Sequence, residues 1–253
     1  MDYLRYWSLS EAPFGPAAAR FFFAASPQRD VTSWVQQQVV TRQRLSLIVC
    51  PGGVGATTLL QRLSMTAGFD DCAIEAIYTT GRFSSVERVY NGMAESWGMT
   101  SRHDSAMRIQ LAIDAAQRQS LRTVWLVDGV GKHSAEAIAQ LTRKRLSLTI
   151  IAAVAPRLLR QVQKTLGKRN PQTELSALSL QDTIQFLNHS LQVAGSRRQL
   201  FTDRASALLH EISDGKFRRI AKLADRALTV GASKQAQQIT PTEIRSAKQA
   251  DAA

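Results

Sequence analysis

The sequence predicts an α/β fold in which helices flank a parallel sheet of the P-loop type, followed by a small all-helical lid domain. Short apolar runs alternate with segments of helical spacing through roughly the first 180 residues, a rhythm typical of parallel βα units. A glycine-rich turn separates the first apolar run from a helix, as in phosphate-binding loops. Beyond Leu180 the strand-like runs disappear and only helical patterns continue.

Each element of the α/β part rests on a local pattern. Ser26-Pro27 places a capping residue before a proline and predicts a helix start. The run from Thr123 to Val127 ends at Asp128, which is typical of a buried central parallel strand. Pro156 opens another helix. The predicted helices cover 26–42, 56–67, 84–97, 105–119, 134–146 and 156–166, and the predicted strands cover 45–49, 72–78, 123–128, 148–154 and 174–178.

The lid is predicted from helix caps and helical spacing. Thr202 and Thr240 suit the N-cap position, and Pro241 suits the first turn that follows. The predicted lid helices cover 181–194, 202–213, 217–230 and 240–250. We therefore expect three parts: an aromatic, proline-containing N-terminal arm (1–25), an α/β domain (26–179) and the lid (180–253).

Composition limits the compartment and the partners. The two cysteines, Cys50 and Cys72, match neither a disulfide framework nor a metal-binding spacing. No apolar run reaches the roughly 18 to 20 residues of a membrane-spanning helix, and no signal layout opens the chain, so we expect a cytoplasmic protein. The net charge is +12, and residues from Pro156 onward carry 16 Lys and Arg against 8 Asp and Glu. This excess favours a polyanionic partner or simply forms a solvated basic surface.

The stretch from Leu45 to Leu60 organises the chain, because its strand, turn and helix are the parts of a P-loop. Such loops direct backbone N–H groups and a helix N-terminus at a phosphate. The standard pattern is G-x-x-x-x-G-K-[ST]. Aligned on Gly55 and Thr57, it places Cys50 at the first glycine and Ala56 at the lysine. The candidate nucleotide-binding residues of this stretch are Gly53, Gly55, Ala56, Thr57 and Thr58.

Other segments resemble the AAA+ ATPases, and within them the ExeA/GspA family of secretion-associated ATPases. The opening stretch 3–14, YLRYWSLSEAPF, resembles the family's short aromatic helix that ends in a Pro-Phe pair. The segments 200–202 and 213–228 resemble its lid and sensor-two helix, and Ile239-Thr240 resembles the start of its closing helix. The resemblance covers nearly the whole chain, and AAA+ regulators of transposition that bind DNA share its compact form.

The resemblance implies a site for ATP or ADP with Mg²⁺. Thr57 matches the hydroxyl ligand of Mg²⁺, and Asp128 matches the acid that holds the ion through water. Arg218 matches the sensor-two arginine of the lid. We therefore expect Asp128 and Arg218 to join the loop residues in the nucleotide site, with Thr57 and Asp128 toward the metal.

Three positions depart from the pattern that the resemblance assigns to hydrolysis. Ala56 replaces the lysine, Gly129 replaces the glutamate that activates water, and Ala155 replaces a polar sensor. Losing one preorganised electrostatic group commonly lowers an enzymatic rate by about 10² to 10³. We therefore expect no catalytic residue and no turnover above background.

Three functions stay open at this point. The first is a nucleotide-responsive or purely structural binding and assembly module with protein partners in secretion or envelope machinery. The second is a nucleic-acid-binding regulator of the transposition type, in which lid cations such as Lys222 and Arg226 contact the polyanion. The third is an active ATPase that uses Lys132 or Lys216 in place of the missing lysine.

Overall fold

The computed structural model of the chain describes residues 2–14, 22–69, 72–99, 104–144 and 146–252. Residues 15–21 of the predicted N-terminal arm lie outside these ranges. The chain forms two compact units: the first comprises Met1–Arg29, Gly52–Thr58 and Ser176–Ala253, and the second comprises Asp30–Pro51 and Leu59–Leu175. The glycine-rich turn therefore shares a unit with the lid helices, while the domain boundaries at 25 and 179 stay predictions.

The second unit contains a six-stranded sheet, which confirms the predicted α/β fold. Its strands are β1 (Leu45–Val49), β2 (Gly68–Phe69), β3 (Cys72–Thr80), β4 (Arg122–Asp128), β5 (Leu148–Val154) and β6 (Gln172–Glu174). The strand order is β2-β3-β4-β5-β1-β6, and all neighbours pair in parallel except β2 with β3. Val49 lies opposite Val154 and Asp128 lies opposite Thr80 at one edge of this sheet.

One strand prediction needs correction, and one strand was not predicted. β6 covers Gln172–Glu174 instead of 174–178, because this segment pairs with the outer side of β1 while the apolar Leu175 that follows is fully buried. β2 was not predicted, since two residues carry no periodicity. Gly68 makes this short antiparallel pair possible, because a Cβ at its position would lie 2.9 Å from the Cys72 carbonyl oxygen.

Six helices of the described chain lie near the predicted positions. They are α2 (Ser26–Val40), α3 (Ala56–Ser64), α4 (Val86–Ser96), α5 (Ser105–Arg118), α6 (Lys132–Thr142) and α7 (Pro156–Leu166). α3 ends at Ser64, earlier than predicted, because β2 follows four residues later. α6 begins and ends earlier than the predicted 134–146. Trp125 of β4 is fully buried in the core of the second unit, and its indole N–H donates to the Thr79 hydroxyl at 2.9 Å.

The lid consists of four helices, as predicted, and the N-terminal helix packs with them. These helices are α1 (Tyr3–Trp7), α8 (Leu180–Val193), α9 (Asp203–Ser213), α10 (Phe217–Ser233) and α11 (Pro241–Ala252). Thr202 caps α9, since its side chain accepts from the Ala205 N–H. Trp7 is 1% exposed and donates its indole N–H to the Leu228 carbonyl at 2.9 Å. The arm therefore contributes to the lid core. In the described part of the chain, no helix has both the length and the hydrophobicity to cross a membrane.

Gly231 lets α1 approach α10, and its replacement tests this packing. A Cβ at Gly231 would lie 2.5 Å from Ile239 Cδ1 and 2.9 Å from the Trp7 ring, both of which are buried. We expect Gly231→Ala to lower the free energy of unfolding by about 1 to 2 kcal/mol, because overpacking outweighs the helix propensity gained. Denaturant titration followed by circular dichroism measures this change.

Gly92→Ala is the matched control, because Gly92 also lies within a helix. Its added Cβ would meet only Thr79 Cγ2, at an ordinary contact distance of 3.6 Å. This variant should be as stable as the wild type or slightly more stable. Equal effects of the two substitutions would contradict the close approach of α1 to Gly231.

Candidate nucleotide-binding site

The glycine-rich turn joins β1 to α3 and contains two glycines with positive φ. Cys50 follows β1, and its N–H donates to the Val154 carbonyl at 2.8 Å. Gly53 and Gly55 then adopt φ values of 86° and 92°, which glycine accommodates without steric cost. α3 begins directly afterwards at Ala56. Successive N–H groups and a helix start therefore follow one another as they do in an anion-binding nest.

The start of α10 packs directly on this loop. The Arg218 N–H donates to the Gly53 carbonyl at 3.1 Å. The Lys216 side chain at the N-cap makes no capping bond, so the loop carbonyl provides an acceptor for this helix start. A Cβ at Gly55 would lie 3.4 Å from the Phe217 ring. The structure thus brings the predicted residues Gly53, Gly55 and Arg218 together.

Gln28 is a loop contact that the sequence analysis missed. Its side chain is 2% exposed, and its amide nitrogen donates to the Val54 carbonyl at 3.2 Å. Gln28 therefore ties the first turn of α2 to the loop. A polar residue just after a helix start carries no sequence signal for such a contact, because the contact exists only after the chain has folded.

The cations near the loop differ in their partners. Arg218 is exposed, and its guanidinium makes no hydrogen bond or ion pair with the residues described by the structure. The Lys216 ammonium lies 3.3 Å from Asp214 Oδ2, and Arg219 donates to the same oxygen at 2.6 Å. Lys132 is exposed at the start of α6 in the second unit. Lys216, one of the substitute lysines considered, is thus engaged with a carboxylate of the lid.

Asp128 ends β4 and interacts with a tyrosine of the neighbouring strand. The Tyr78 hydroxyl donates to Asp128 Oδ2 at 3.3 Å. Burial, followed by the charge of Asp128, raises the pKa of Tyr78 to about 12, so this phenol stays a donor at neutral pH. The Asp128 carbonyl accepts from the Gly81 N–H. These contacts fix the acid at the end of its strand.

Cys50 is a neutral, buried thiol. Burial, then the charges of Asp128 and Glu174, raises the pKa of Cys50 to about 12. Its thiol lies 3.4 Å from the Ile48 carbonyl, to which it donates. A thiol with such a pKa is a poor nucleophile at neutral pH, so Cys50 serves packing at the loop entrance.

The three departures from the hydrolytic pattern have different structural settings. Ala56 is a half-buried residue at the first position of α3, where a lysine also fits the helix. Ala155 is the N-cap of α7 and has no side-chain acceptor to offer. Gly129 has a φ of 79°, a left-handed conformation that disfavours any residue with a Cβ. The backbone after Asp128 therefore selects against a glutamate at this position.

Thr57 and Thr58 lie in the first turn of α3, as predicted. Thr57 is exposed and Thr58 is half-buried. Both belong to the first unit with Arg218, whereas Asp128 belongs to the second. The nucleotide-binding roles of these residues, and the metal-ligand roles of Thr57 and Asp128, stay predictions.

Asp182 joins the start of α2 to α8 within the first unit. It is 5% exposed and accepts from the Ser26 N–H at 3.1 Å and the Ser26 hydroxyl at 3.0 Å. It also forms a capping box with Ser179, whose hydroxyl donates to it at 2.7 Å. Burial alone would raise the pKa of Asp182, but the hydrogen bonds from Ser179 and Ser26 outweigh it and lower the pKa.

Comparisons with known proteins identify the fold. Neither a protein-family model nor a curated protein sequence matches the chain. Cdc6p from Pyrobaculum aerophilum matches at 12% identity with a TM-score of 0.65, over 94% of this chain and 70% of that one. ORC2 from Aeropyrum pernix, solved as ADPNP–ADP complexes, matches at 12% identity and 0.62, over 90% of this chain and 68% of that one.

Drosophila ORC bound to DNA matches at 14% identity with a TM-score of 0.62. This match covers 94% of the present chain but 65% of the Drosophila chain, slightly less than two thirds. These neighbours are AAA+ ATPases, so the chain has the AAA+ P-loop fold and that part of the prediction is confirmed. At these identities the likeness shows the fold alone.

Asp182→Ala should destabilise the first unit in a pH-dependent way. Hydrogen bonds to a carboxylate contribute about 1.5 to 3 kcal/mol, so we expect a loss of about 2 kcal/mol near pH 7. Because the pKa of Asp182 is lowered in the fold, its contribution is present above about pH 4 and is lost as the pH falls through the native pKa. Urea titrations at neutral and acidic pH measure the difference from the wild type.

Asp203→Ala is the control, since Asp203 is an exposed acid in the first turn of another lid helix, α9. Its loss should change stability by no more than about 0.5 kcal/mol. If wild type and Asp182→Ala differed by the same free energy of unfolding at every pH, the role assigned to the carboxylate charge would be contradicted.

Proposed function

We propose that this chain is an AAA+ protein that holds ATP or ADP weakly, does not hydrolyse it at an ordinary rate, and serves as a binding or assembly module. One observation carries the proposal. Gly53 and Gly55 retain the left-handed conformation of a phosphate nest, while Ala56 provides no charge. The loop therefore keeps two positive-φ glycines that suit a phosphate nest, and it lacks the lysine of the standard pattern.

The described residues fit the phosphates of a nucleotide. The loop N–H groups and the start of α3 would hold them, since a helix N-terminus carries about half a positive charge. The resemblance to AAA+ ATPases assigns Thr57 and Asp128 to Mg²⁺, which when bound supplies positive charge that balances the phosphates. Arg218 would add a cation from the lid. The ADPNP–ADP complexes of the structurally similar ORC2 protein support this class of ligand.

The absence of hydrolysis follows from the groups present at three positions. Ala56 cannot stabilise charge on a transferring phosphoryl group, and Gly129 cannot activate water. Ala155 has no polar side chain with which to orient the phosphoryl group or the water. Lys216 supports this interpretation as well, since its ammonium already interacts with Asp214. These residues therefore do not provide the preorganised charged and polar groups that catalysis of hydrolysis needs.

A response to nucleotide would pass through the contact between lid and loop. The Arg218 N–H donates to the Gly53 carbonyl, and the Phe217 ring packs at Gly55. A ligand that orders the loop N–H groups also orders the carbonyls between them. The position of the α10 start therefore depends on the state of the loop.

The pathway rests on the resemblance to the ExeA/GspA family alone. The stretch 3–14 and the segment 213–228 carry that resemblance, which points to protein partners in secretion or envelope machinery and to a cytoplasmic location. A nucleic-acid-binding regulator is the second candidate function. It is favoured by the structural likeness to ORC bound to DNA and by the net charge of +12.

Ala56→Lys should tighten nucleotide binding without creating an ATPase. A lysine at this position adds charge-assisted hydrogen bonds of about 1.5 to 3 kcal/mol, so the affinity for Mg-ATP should rise about 10- to 100-fold. Calorimetry with Mg-ATP and Mg-ADP measures binding, and phosphate release measures turnover. Ala56→Met is the control, because it adds length without charge.

Wild-type turnover on the order of 1 s⁻¹, within the usual enzyme range, would contradict the proposal if Asp128→Ala abolished it. Equal affinities of Ala56→Lys and Ala56→Met for Mg-ATP would show that the loop does not bind the phosphates.

Gly129→Glu should fail to restore hydrolysis, even in combination with Ala56→Lys. Its φ of 79° imposes a strain of about 1 to 2 kcal/mol on any residue with a Cβ. Gly129→Ala should therefore lose the same stability, which denaturant titration measures. A stable Gly129→Glu protein that releases phosphate above background would show that the turn tolerates a catalytic carboxylate.

A further inference from the structure

The positive charge of the chain concentrates in a segment without carboxylates. No Asp or Glu occurs between Glu136 and Glu174. Eight cations fall in that interval: Arg143, Lys144, Arg145, Arg157, Arg160, Lys164, Lys168 and Arg169. Five of them lie on α7 and in the turn that follows it. This helix, and not the lid, therefore holds the least compensated charge.

The cations of α7 share one helical face. Arg157, Arg160 and Lys164 are spaced at i, i+3 and i+7, so they lie along one stripe, and all three are exposed. We call these three residues the α7 stripe. It extends over about 10 Å at a rise of 1.5 Å per residue. Lys168 and Arg169, also exposed, continue the positive surface beyond the helix end.

The opposite face of α7 is fixed in the core of the second unit. Val162 is fully buried, and Leu158, Leu159 and Leu166 pack against the same core. The stripe is therefore held outward by packing. Within the described ranges, none of its three cations makes an ion pair or a side-chain hydrogen bond, and neither do Lys168 and Arg169.

The lid is a weaker candidate for a polyanion surface. Residues 180–253 carry 11 Lys and Arg against 7 Asp and Glu, whereas residues 156–173 carry 5 against none. In the lid, Lys216 and Arg219 share Asp214. Lys222 and Arg226, the cations singled out from the sequence, each make an interaction within the protein. Residues 156–173 thus contribute a net charge of +5 with no acid among them, against +4 from the whole lid.

We propose that the α7 stripe binds the phosphate backbone of double-stranded nucleic acid without reading its sequence. A row of exposed cations on a rigid helix matches a regular row of phosphates. Residues 156–173 contain no Phe, Tyr or Trp, so the surface lacks the stacking platforms that single-strand binders use. A membrane surface fits less well, because the apolar face of α7 is buried in the core and cannot insert into lipid.

The α7 stripe would be the binding surface of the second candidate function, a nucleic-acid-binding regulator, and its binding does not depend on the P-loop. Binding is therefore measured without nucleotide. The probes are a fluorescently labelled DNA duplex, the corresponding single strand, and vesicles containing phosphatidylserine. The test variant is the triple substitution Arg157→Gln, Arg160→Gln and Lys164→Gln.

The matched control removes the same charge elsewhere in the second unit. It combines Arg82→Gln, Arg88→Gln and Arg118→Gln, three exposed arginines. The charge-retaining variant Arg157→Lys with Arg160→Lys shows whether charge or side-chain shape matters. Circular dichroism and thermal melting establish that each variant is folded.

The expected result is a change in salt dependence specific to α7. Each phosphate contact contributes about 0.9 to the slope of log K against log salt, so losing three contacts lowers the slope by about 2.7. Between about 50 and 200 mM salt, the wild type should lose about 40-fold more affinity than the triple variant. The control triple and the lysine variant should keep the wild-type slope.

Several outcomes would overturn the proposal. One is the absence of duplex binding by the wild type at low salt. Another is an equal loss in the slope of log K against log salt for the control triple, which would show that binding depends only on the net charge of the protein. Binding to vesicles or to the single strand that depends on α7, without binding to the duplex, would assign the stripe to another ligand. Calorimetry of nucleotide binding to the triple variant keeps a failure here separate from a failure at the P-loop.

Discussion

The hydrogen bond from the Arg218 N–H to the Gly53 carbonyl is the contact on which the organisation of the first unit depends. It gives α10 an acceptor at an N-terminus whose N-cap side chain makes no such bond. It also brings the Phe217 ring to 3.4 Å, an ordinary contact distance, from where a Cβ at Gly55 would lie, and the φ of 92° favours glycine there. Loop and lid are therefore one structural element, although more than 150 residues separate them in sequence.

Most of the fold was predictable because its strands are continuous apolar runs and its helices have clear caps. β1, β5 and α7 have the predicted bounds. β6 was misplaced because an edge strand of three residues is largely polar, while the apolar Leu175 beyond it returns to the core. β2 depends on the close approach that Gly68 permits, which periodicity cannot reveal. Local pattern thus predicts the central sheet and loses accuracy at its edges.

The site was predictable in part, and the division has a physical reason. The loop residues follow from their spacing within a few positions of the chain. Gln28 and Phe217 could not be found this way, because each contacts the loop only through tertiary folding. The left-handed conformation of Gly129 could not be predicted either, because glycine adopts both positive and negative φ values. The cations of α7 and the helix itself were predictable, but the structure was needed to show that these cations are exposed while Lys216 and Arg219 of the lid share Asp214.

The docking of α1 on the lid has a consequence for folding during synthesis. The Trp7 indole donates to a carbonyl 221 residues later in the chain, so its burial waits until that residue has left the ribosome. At about 5 to 20 residues per second, this interval lasts roughly 10 to 40 s. Throughout that time the aromatic residues of α1 lack their native partners in the lid and remain available to chaperones. α1 is thus synthesised well before the helix on which it docks.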